Sequence, residues 1–381
     1  MKKETKILIF LFIVAFLLRA INIDQKKFGV DEVITFKYSE SFKAMDYALK
    51  NDYYPPLFYA IIFVLRRFFS VIALRVIFIL IALAGIAFFW FALKEFFPKN
   101  KELVWISILL IVFNPLHIAY SSHLRHYIIL ITLFALSAYL IGRLLRLKDI
   151  KEKRKILWFL SLTYVMLVYL HYVTALFIIF SELIFLFLFV FKKSFAEVKK
   201  YWKIIAVFII LIMPIFIFAP TQIKKFESSH LFGAKTENNL TALFYNIYKL
   251  VIGININSFF YLMILPVSAI VIFIFIILFS YGLILTVKSR KREPKFFLIT
   301  FVLSIILSAF LYIIAPMLGS FRYYTFLIFN SMFFVALSID SVNNKNLKFF
   351  IISLIILIYF VIFLNYSNII LLEDWNKYFG L

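Results

Sequence analysis

Apolar residues along this chain come in long runs, most of 17 residues or more, and the polar residues between them gather in short clusters rich in Lys and Arg. That is the spacing of membrane spans and their loops, not the narrow apolar stripe of a helix that packs in water. Eleven spans are predicted, at about 6–21, 71–93, 103–120, 126–146, 156–171, 172–191, 203–220, 259–287, 296–316, 323–339 and 347–365. Lys2, Lys3 and Lys6 precede the first run, but no small-residue cleavage site follows it and Arg19 interrupts its end, so it reads as a retained anchor. One shorter run, Leu57–Leu65, follows Pro55-Pro56 and meets Arg66-Arg67. Extended as a helix to Phe69 it would be about 20 Å long, short of a hydrocarbon core of about 30 Å, so an interfacial or re-entrant helix is expected there.

Charge sets the orientation. With the N-terminus cytoplasmic, 25 of the 41 Lys and Arg fall in the N-terminal segment and the loops at 94–102, 143–155, 192–203, 288–295 and 341–348. Such crowding into short loops is the positive-inside pattern. The outer side then holds loops at about 22–70, 120–125 and 221–258. The expected organisation is one transmembrane domain over 1–365 with a short outer tail at 366–381.

Composition agrees. The chain is 65% hydrophobic and 16% charged, against roughly 45–50% and 25% for a soluble domain. The net charge of +22 belongs to the loops rather than to one basic face, so no nucleic-acid partner is expected. The absence of Cys excludes disulfides, thiolate metal sites and Cys nucleophiles. The expected fold class is an all-α polytopic membrane protein whose first outer loop carries interfacial helices.

Ionisable residues at membrane depth are functional candidates. The first outer loop carries Phe28-Gly29-Val30-Asp31-Glu32, where Gly29 is expected to permit a tight backbone that holds a carboxylate at the membrane surface. The second outer segment, Asn114 to Tyr127, has Pro115 to end or kink the third span. If its end is helical, Ser121, Ser122 and Arg125 share a face, and Arg suits a fixed phosphate through its planar fork. His123-x-x-His126 with a loop carboxylate offers a thin set of metal ligands: a divalent cation between Asp31, Glu32 and His123 is the one opening for a cofactor. His171-Tyr172 lies at the outer junction of two spans. Glu182 sits mid-span and is expected to be protonated or paired within the bundle. Arg19, Arg75, Arg125 and Arg322 all fall at outer span ends, so any chemistry is expected to face outward. Asn239-Leu240-Thr241 and Asn365-Tyr366-Ser367 match the N-glycosylation pattern and show outer access at most.

Taken in order, these pieces resemble the GT-C superfamily of membrane glycosyltransferases, most closely the branch of protein O-mannosyltransferases and aminoarabinose transferases. The matching residues are Asp31-Glu32, Tyr54-Pro55-Pro56-Leu57-Phe58-Tyr59, Ala73-Leu74-Arg75, Pro115 followed by Tyr120-Ser121 with Arg125 and Tyr127, His171-Tyr172, and Arg322-Tyr323-Tyr324. They keep the family order over about residues 10–330. The usual His before the Pro-Pro pair is Tyr54 here.

The resemblance implies transfer of a sugar from a polyprenyl-phosphate donor (dolichyl phosphate in some relatives) to a protein, lipid or polysaccharide acceptor on the outer face of the cell membrane. By that reading Asp31 is the general base and Glu32 orients it or the acceptor. Arg125, Arg322 and Arg75 hold the donor phosphate, and Tyr54, His126, Tyr127, His171 and Tyr172 line the sugar and acceptor pocket. The segment 54–69 walls the lipid groove, the loop at 221–258 meets the acceptor, and the anomeric centre is inverted. The rival readings are a transporter or flippase of lipid-linked sugars and a non-catalytic relative. A transporter often shows internal repeats, and none is found in this sequence.

Overall fold

The computed structural model describes residues 3–51, 55, 57–228, 265–314 and 325–372, and every long regular element among them is an α-helix. The chain runs through α1 (Lys3–Ala20), α2 (Val30–Tyr38), α3 (Phe42–Asn51), α4 (Leu57–Leu65), α5 (Val71–Phe96), α6 (Lys101–Phe113), α7 (Pro115–Ser121) and α8 (Tyr127–Arg146). It continues through α9 (Ile150–Leu170), α10 (Tyr172–Phe185), α11 (Phe195–Lys199), α12 (Trp202–Ser228), α13 (Leu265–Lys288), α14 (Arg292–Ile314), α15 (Ile328–Asp340) and α16 (Lys345–Leu372).

Polar residues punctuate the apolar runs because a helix start leaves backbone N–H groups without partners. Ser70, Asn100, Asn114, Asp149 and His171 each accept an amide hydrogen from the first turn of the helix that follows. α5 and α8 pack most closely. A Cβ on Gly85 would lie 2.8 Å from Thr132 Oγ1, and Thr132 Oγ1 donates to the Ile81 carbonyl at 2.9 Å. On α13, a Cβ on Gly282 would lie 1.9 Å from the Phe334 carbonyl oxygen, so only Gly fits the crossing with α15. The richness in Phe has a packing use: Phe297 and Phe333 stack with ring centroids 4.0 Å apart, and Phe89, Phe96 and Phe329 join the same buried layer.

Each predicted run in the described residues coincides with a helix, with three differences, the first being that α12 continues to Ser228, into the loop expected from 221. The run at 103–120 is two helices, α6 and α7, bent by 57° at Asn114-Pro115. The run at 57–65 is a short helix as expected, the nine-residue α4, about 14 Å long, with Phe58, Tyr59, Ile62 and Phe63 buried. The last helix runs on to Leu372, so the tail expected from 366 begins as helix and the Asn365-Tyr366-Ser367 tripeptide lies within it. α5, α8 and the segment Tyr172–Val190 are long and apolar enough to cross a membrane, and α6–α7 makes a fourth span if the bent pair is one.

The two ends of the bundle differ chemically. One is held by ordinary ion pairs, Arg146–Glu95 at 3.3 Å, Lys348–Glu102 at 2.8 Å and Lys101–Glu4 at 2.6 Å. The other gathers the C-terminal end of α1, the first turns of α2, α5 and α8, and the α9–α10 junction. The candidate site lies there.

Candidate functional site

α2 organises this end. Asp31 and Glu32 lie in its first turn and Thr35 one turn on, so the three present one face to the turn between α7 and α8. Glu32 is 1% exposed and fully engaged. Its Oε2 accepts from the Gly29 N–H at 2.9 Å and its Oε1 from the Leu124 N–H at 2.9 Å. Arg75 Nη2 lies 3.6 Å from Oε1 and His123 Nε2 lies 3.8 Å from Oε2. Burial alone would raise this carboxyl, but His123, Lys26, Arg75 and the Leu124 amide outweigh it and hold the group below the usual carboxylate range.

Asp31 is the open member of the pair, 22% exposed, with Oδ1 3.6 Å from Arg125 Nη2. Arg125 is itself buried, and its Nη1 donates to Thr35 Oγ1 at 2.9 Å, while that hydroxyl donates to the Asp31 carbonyl at 2.9 Å. One carboxylate is locked and structural; its neighbour is accessible beside a fixed guanidinium.

Arg75 is 1% exposed. Beyond Glu32 its Nη2 donates to the Lys27 carbonyl at 3.4 Å, and its plane lies over the Phe28 ring at 5.5 Å. Its Nε and Nη1 are buried with no hydrogen-bond partner among the described residues, and so is the Tyr127 hydroxyl. Buried donors of this kind are rare without a ligand or water to accept from them.

Lys26, which no sequence signal separates from the other lysines of its loop, completes the cluster. Its Nζ donates to Ser122 Oγ at 2.8 Å and to the Ala119 carbonyl at 3.5 Å. Burial lowers it to about 8, opposed by Glu32 and reinforced by Arg75. Burial lowers His123, opposed by Glu32. Lys26, Arg75 and Arg125 then face Asp31 and Glu32, which leaves an excess of one positive charge among the described residues. The arrangement suits an anionic ligand beside an accessible carboxylate.

The imidazoles form the inner wall. His126, 1% exposed, lies 4.9 Å from His171 between ring centroids and 5.6 Å from Phe58 of α4. His171 Nδ1 accepts from the Thr174 N–H at 3.2 Å and so starts α10. Tyr127 lies parallel to His123 at 6.4 Å, and Tyr172, partly buried, opens α10 beside His171. Tyr54 and Arg322 lie outside the described residues, as do residues 229–258 of the loop expected to meet the acceptor, with Asn239 among them.

Three expectations change. Ser121, Ser122 and Arg125 share no helical face, because α7 ends at Ser121 and the chain turns before α8 begins. Gly29 is not needed for its conformation: its φ of −73° is open to any residue, and a Cβ would meet nothing nearer than 3.6 Å. Among the described residues no three His, Asp or Glu side chains are grouped to hold a metal ion. Both Glu32 oxygens already accept backbone hydrogens, and Asp31 turns to Arg125. Arg19 does not belong with the other outer-end arginines. It is 2% exposed and donates to the Ala15 and Val112 carbonyls at 2.9 and 3.1 Å and to His117 Nδ1 at 2.9 Å.

Glu182 is paired as expected, by hydroxyls instead of a cation. Ser137 Oγ is 2.8 Å from its Oε1, and the Tyr164 hydroxyl donates to its Oε2 at 2.9 Å.

No protein-family model matches this chain and no curated protein matches it. Solved structures do. The crystal structure of ArnT from Cupriavidus metallidurans in the apo state aligns with a TM-score of 0.64 at 14% identity, and the same protein bound to undecaprenyl phosphate aligns with a TM-score of 0.62 at 12% identity. Each alignment covers 92% of this chain and 63% of the ArnT chain, so this chain spans less than two thirds of the length of the protein it matches. The chain has an ArnT-like fold.

Proposed function

We propose that this chain is an integral membrane glycosyltransferase of the GT-C kind that moves a sugar from a polyprenyl-phosphate donor to an acceptor hydroxyl. The observation that carries the reading is one constellation: accessible Asp31 beside Arg125, with the unpartnered donors of buried Arg75, at one end of an ArnT-like bundle. The ArnT structure bound to undecaprenyl phosphate supports a lipid phosphate as the anion.

In the reaction, the Asp31 carboxylate takes the acceptor hydroxyl proton as the acceptor oxygen bonds to the anomeric carbon. The bond from that carbon to the phosphate oxygen breaks, and its electron pair leaves with the lipid phosphate. Negative charge therefore grows on the phosphate, where Arg75, Arg125 and Lys26 are positioned to stabilise it. Arg322 joins them in this reading, and Tyr54, His126, Tyr127, His171 and Tyr172 line the sugar and acceptor side. Glu32 fixes Arg75 and the turn after α7 and takes no proton. A single displacement inverts the anomeric centre. Eleven spans, a cytoplasmic N-terminus and an outward-facing site complete the proposal, with 1–365 as one domain.

Binding of undecaprenyl phosphate to the purified protein tests the donor site. Wild type is expected to bind it, Arg75→Met to bind about tenfold or more weakly, and Asp31→Asn to bind at least as tightly because it removes a negative charge. Equal affinity in wild type and Arg75→Met would remove Arg75 from the phosphate site.

A further inference from the structure

At the end of the bundle away from Asp31, α10 does not close as an ordinary helix. Leu186–Val190 widen into a π-helical turn, and the chain reverses through Lys192 and Lys193 at φ 51° and 59°. These are the one adjacent pair of non-glycine residues at positive φ among the described residues. The turn is closed by the Phe191 N–H to the Leu186 carbonyl at 2.9 Å, the Lys193 N–H to the Phe187 carbonyl at 2.8 Å and the Ser194 N–H to the Phe191 carbonyl at 2.9 Å. Glycine takes the left-handed conformation without strain, whereas an L side chain does not. Two lysines here put strain into the backbone and two charges at the tip of the turn.

The charges have company. α11 follows with Lys199 and Lys200, and the first turn of α9 brings Lys153 and Arg154 into the same field, where they act on Glu197 and Tyr201 respectively. Glu197 is the acid of this surface and is already paired with Lys200 at 2.5 Å. No described residue pairs with the side chains of Lys153, Arg154, Lys192, Lys193 or Lys199. In the neighbouring basic loops Arg146 is paired with Glu95, and Arg292 donates to the Leu145 carbonyl at 3.2 Å. Beside the unpaired cations two large apolar side chains stand open, Phe195 at 78% and Trp202 at 58% exposure. Exposed aromatics next to unpaired cations at the end of a membrane helix fit the headgroup layer, where rings enter the acyl boundary and cations meet phosphate.

We propose that residues 191–203, with Lys153 and Arg154, form a docking site for an anionic phospholipid headgroup. Charge complementarity names the occupant: a zwitterionic lipid brings its own ammonium and gains little from these cations, whereas a phosphatidylglycerol phosphate gains from each. The strained turn presents Lys192 and Lys193, Lys199 closes the other side, and Phe195 and Trp202 seat the hairpin in the leaflet. The site is independent of the transferase reading and needs only that the chain is a membrane protein.

Native mass spectrometry of the full-length protein, released from detergent with phosphatidylglycerol or phosphatidylcholine of the same acyl chains, tests it. Wild type is expected to retain phosphatidylglycerol preferentially. The double variant Lys192→Gly with Lys193→Gly loses about tenfold or more of that affinity, with phosphatidylcholine unchanged. It melts no lower than wild type, because glycine accepts the turn. A second double variant, Lys199→Gln with Lys200→Gln, leaves the turn intact and loses the preference too. The proposal is overturned if wild type shows no preference for phosphatidylglycerol or if either variant keeps it.

Discussion

Asp31 and Glu32 are adjacent in sequence and opposite in circumstance. The pair was legible as a candidate, but not the division of labour, because nothing local says that the Leu124 amide returns to bind Glu32. From that division, Asp31→Asn is expected to lower transfer by about 100- to 10,000-fold without loss of donor binding. Glu32→Ala acts on the fold: it leaves a buried guanidinium and two backbone amides unmatched, a cost of about 3–5 kcal/mol that a melting curve reads directly. Lys26 adds a pH dependence. Its ammonium, facing Glu32, Arg75 and Ser122, persists only up to about pH 8 against 10.5 for an ordinary lysine. The unfolded chain therefore binds more protons between those values, so the Lys26 contribution to stability becomes more favourable as pH rises from about 8 to 10.5. Anion binding moves the other way. Undecaprenyl phosphate affinity is expected to fall as pH rises through about 8, and Lys26→Arg is expected to flatten that limb; a Lys26→Arg profile that still falls at the same pH assigns the titration elsewhere.

At the scale of elements, hydropathy located the helices and Pro115 the break, because apolar length and a missing N–H are local properties. What repairs the break was not legible. Pro115 offers no amide hydrogen to the Ile111 carbonyl, which accepts from the Asn114 N–H at 3.3 Å instead, while Arg19, arriving from α1, donates to the Val112 carbonyl at 3.1 Å and adds a weaker contact to Ile111 at 3.5 Å. It sits at the C-terminal ends of α1 and α6, where helix dipoles favour a cation without a carboxylate partner. Arg19→Met is expected to cost about 1–3 kcal/mol, chiefly through the freed Val112 carbonyl, read as a lower melting temperature in detergent. Glu182 joins α8, α9 and α10 in a second device of this kind. Ser137 has one hydroxyl hydrogen and lies 2.8 Å from both the Phe134 carbonyl and Glu182 Oε1, so both contacts are satisfied if Glu182 carries the hydrogen between them. Glu182→Gln, whose amide can also donate there, is expected to keep wild-type stability, whereas Glu182→Ala loses about 2–4 kcal/mol. Equal losses in both would mean that the carboxyl shape, not its hydrogen bonds, matters.

For the whole molecule, the class of fold was open to reading because composition and run length dictate a membrane bundle. The placement of the site at one end followed from motif order. The packing of α5 on α8 through Gly85 and Thr132, and of the Phe layer, was not open, since no pattern in the sequence says which apolar faces meet. The absence of Cys makes the proposed orientation directly measurable. A single Cys at Lys151 is expected to react with an impermeant thiol reagent only from the cytoplasmic side, and one at Gln25 only from the opposite side; labelling of both from one side would refute the topology. The central claim is that Asp31 drives sugar transfer from a lipid phosphate. The most direct measurement incubates the protein in nanodiscs with radiolabelled polyprenyl-phosphate sugars and follows loss of sugar from the lipid in wild type and Asp31→Asn. Release or transfer is expected in wild type, with near-complete loss in Asp31→Asn; donor consumed at the same rate by both proteins, or left intact by wild type while still bound, would overturn the role of Asp31.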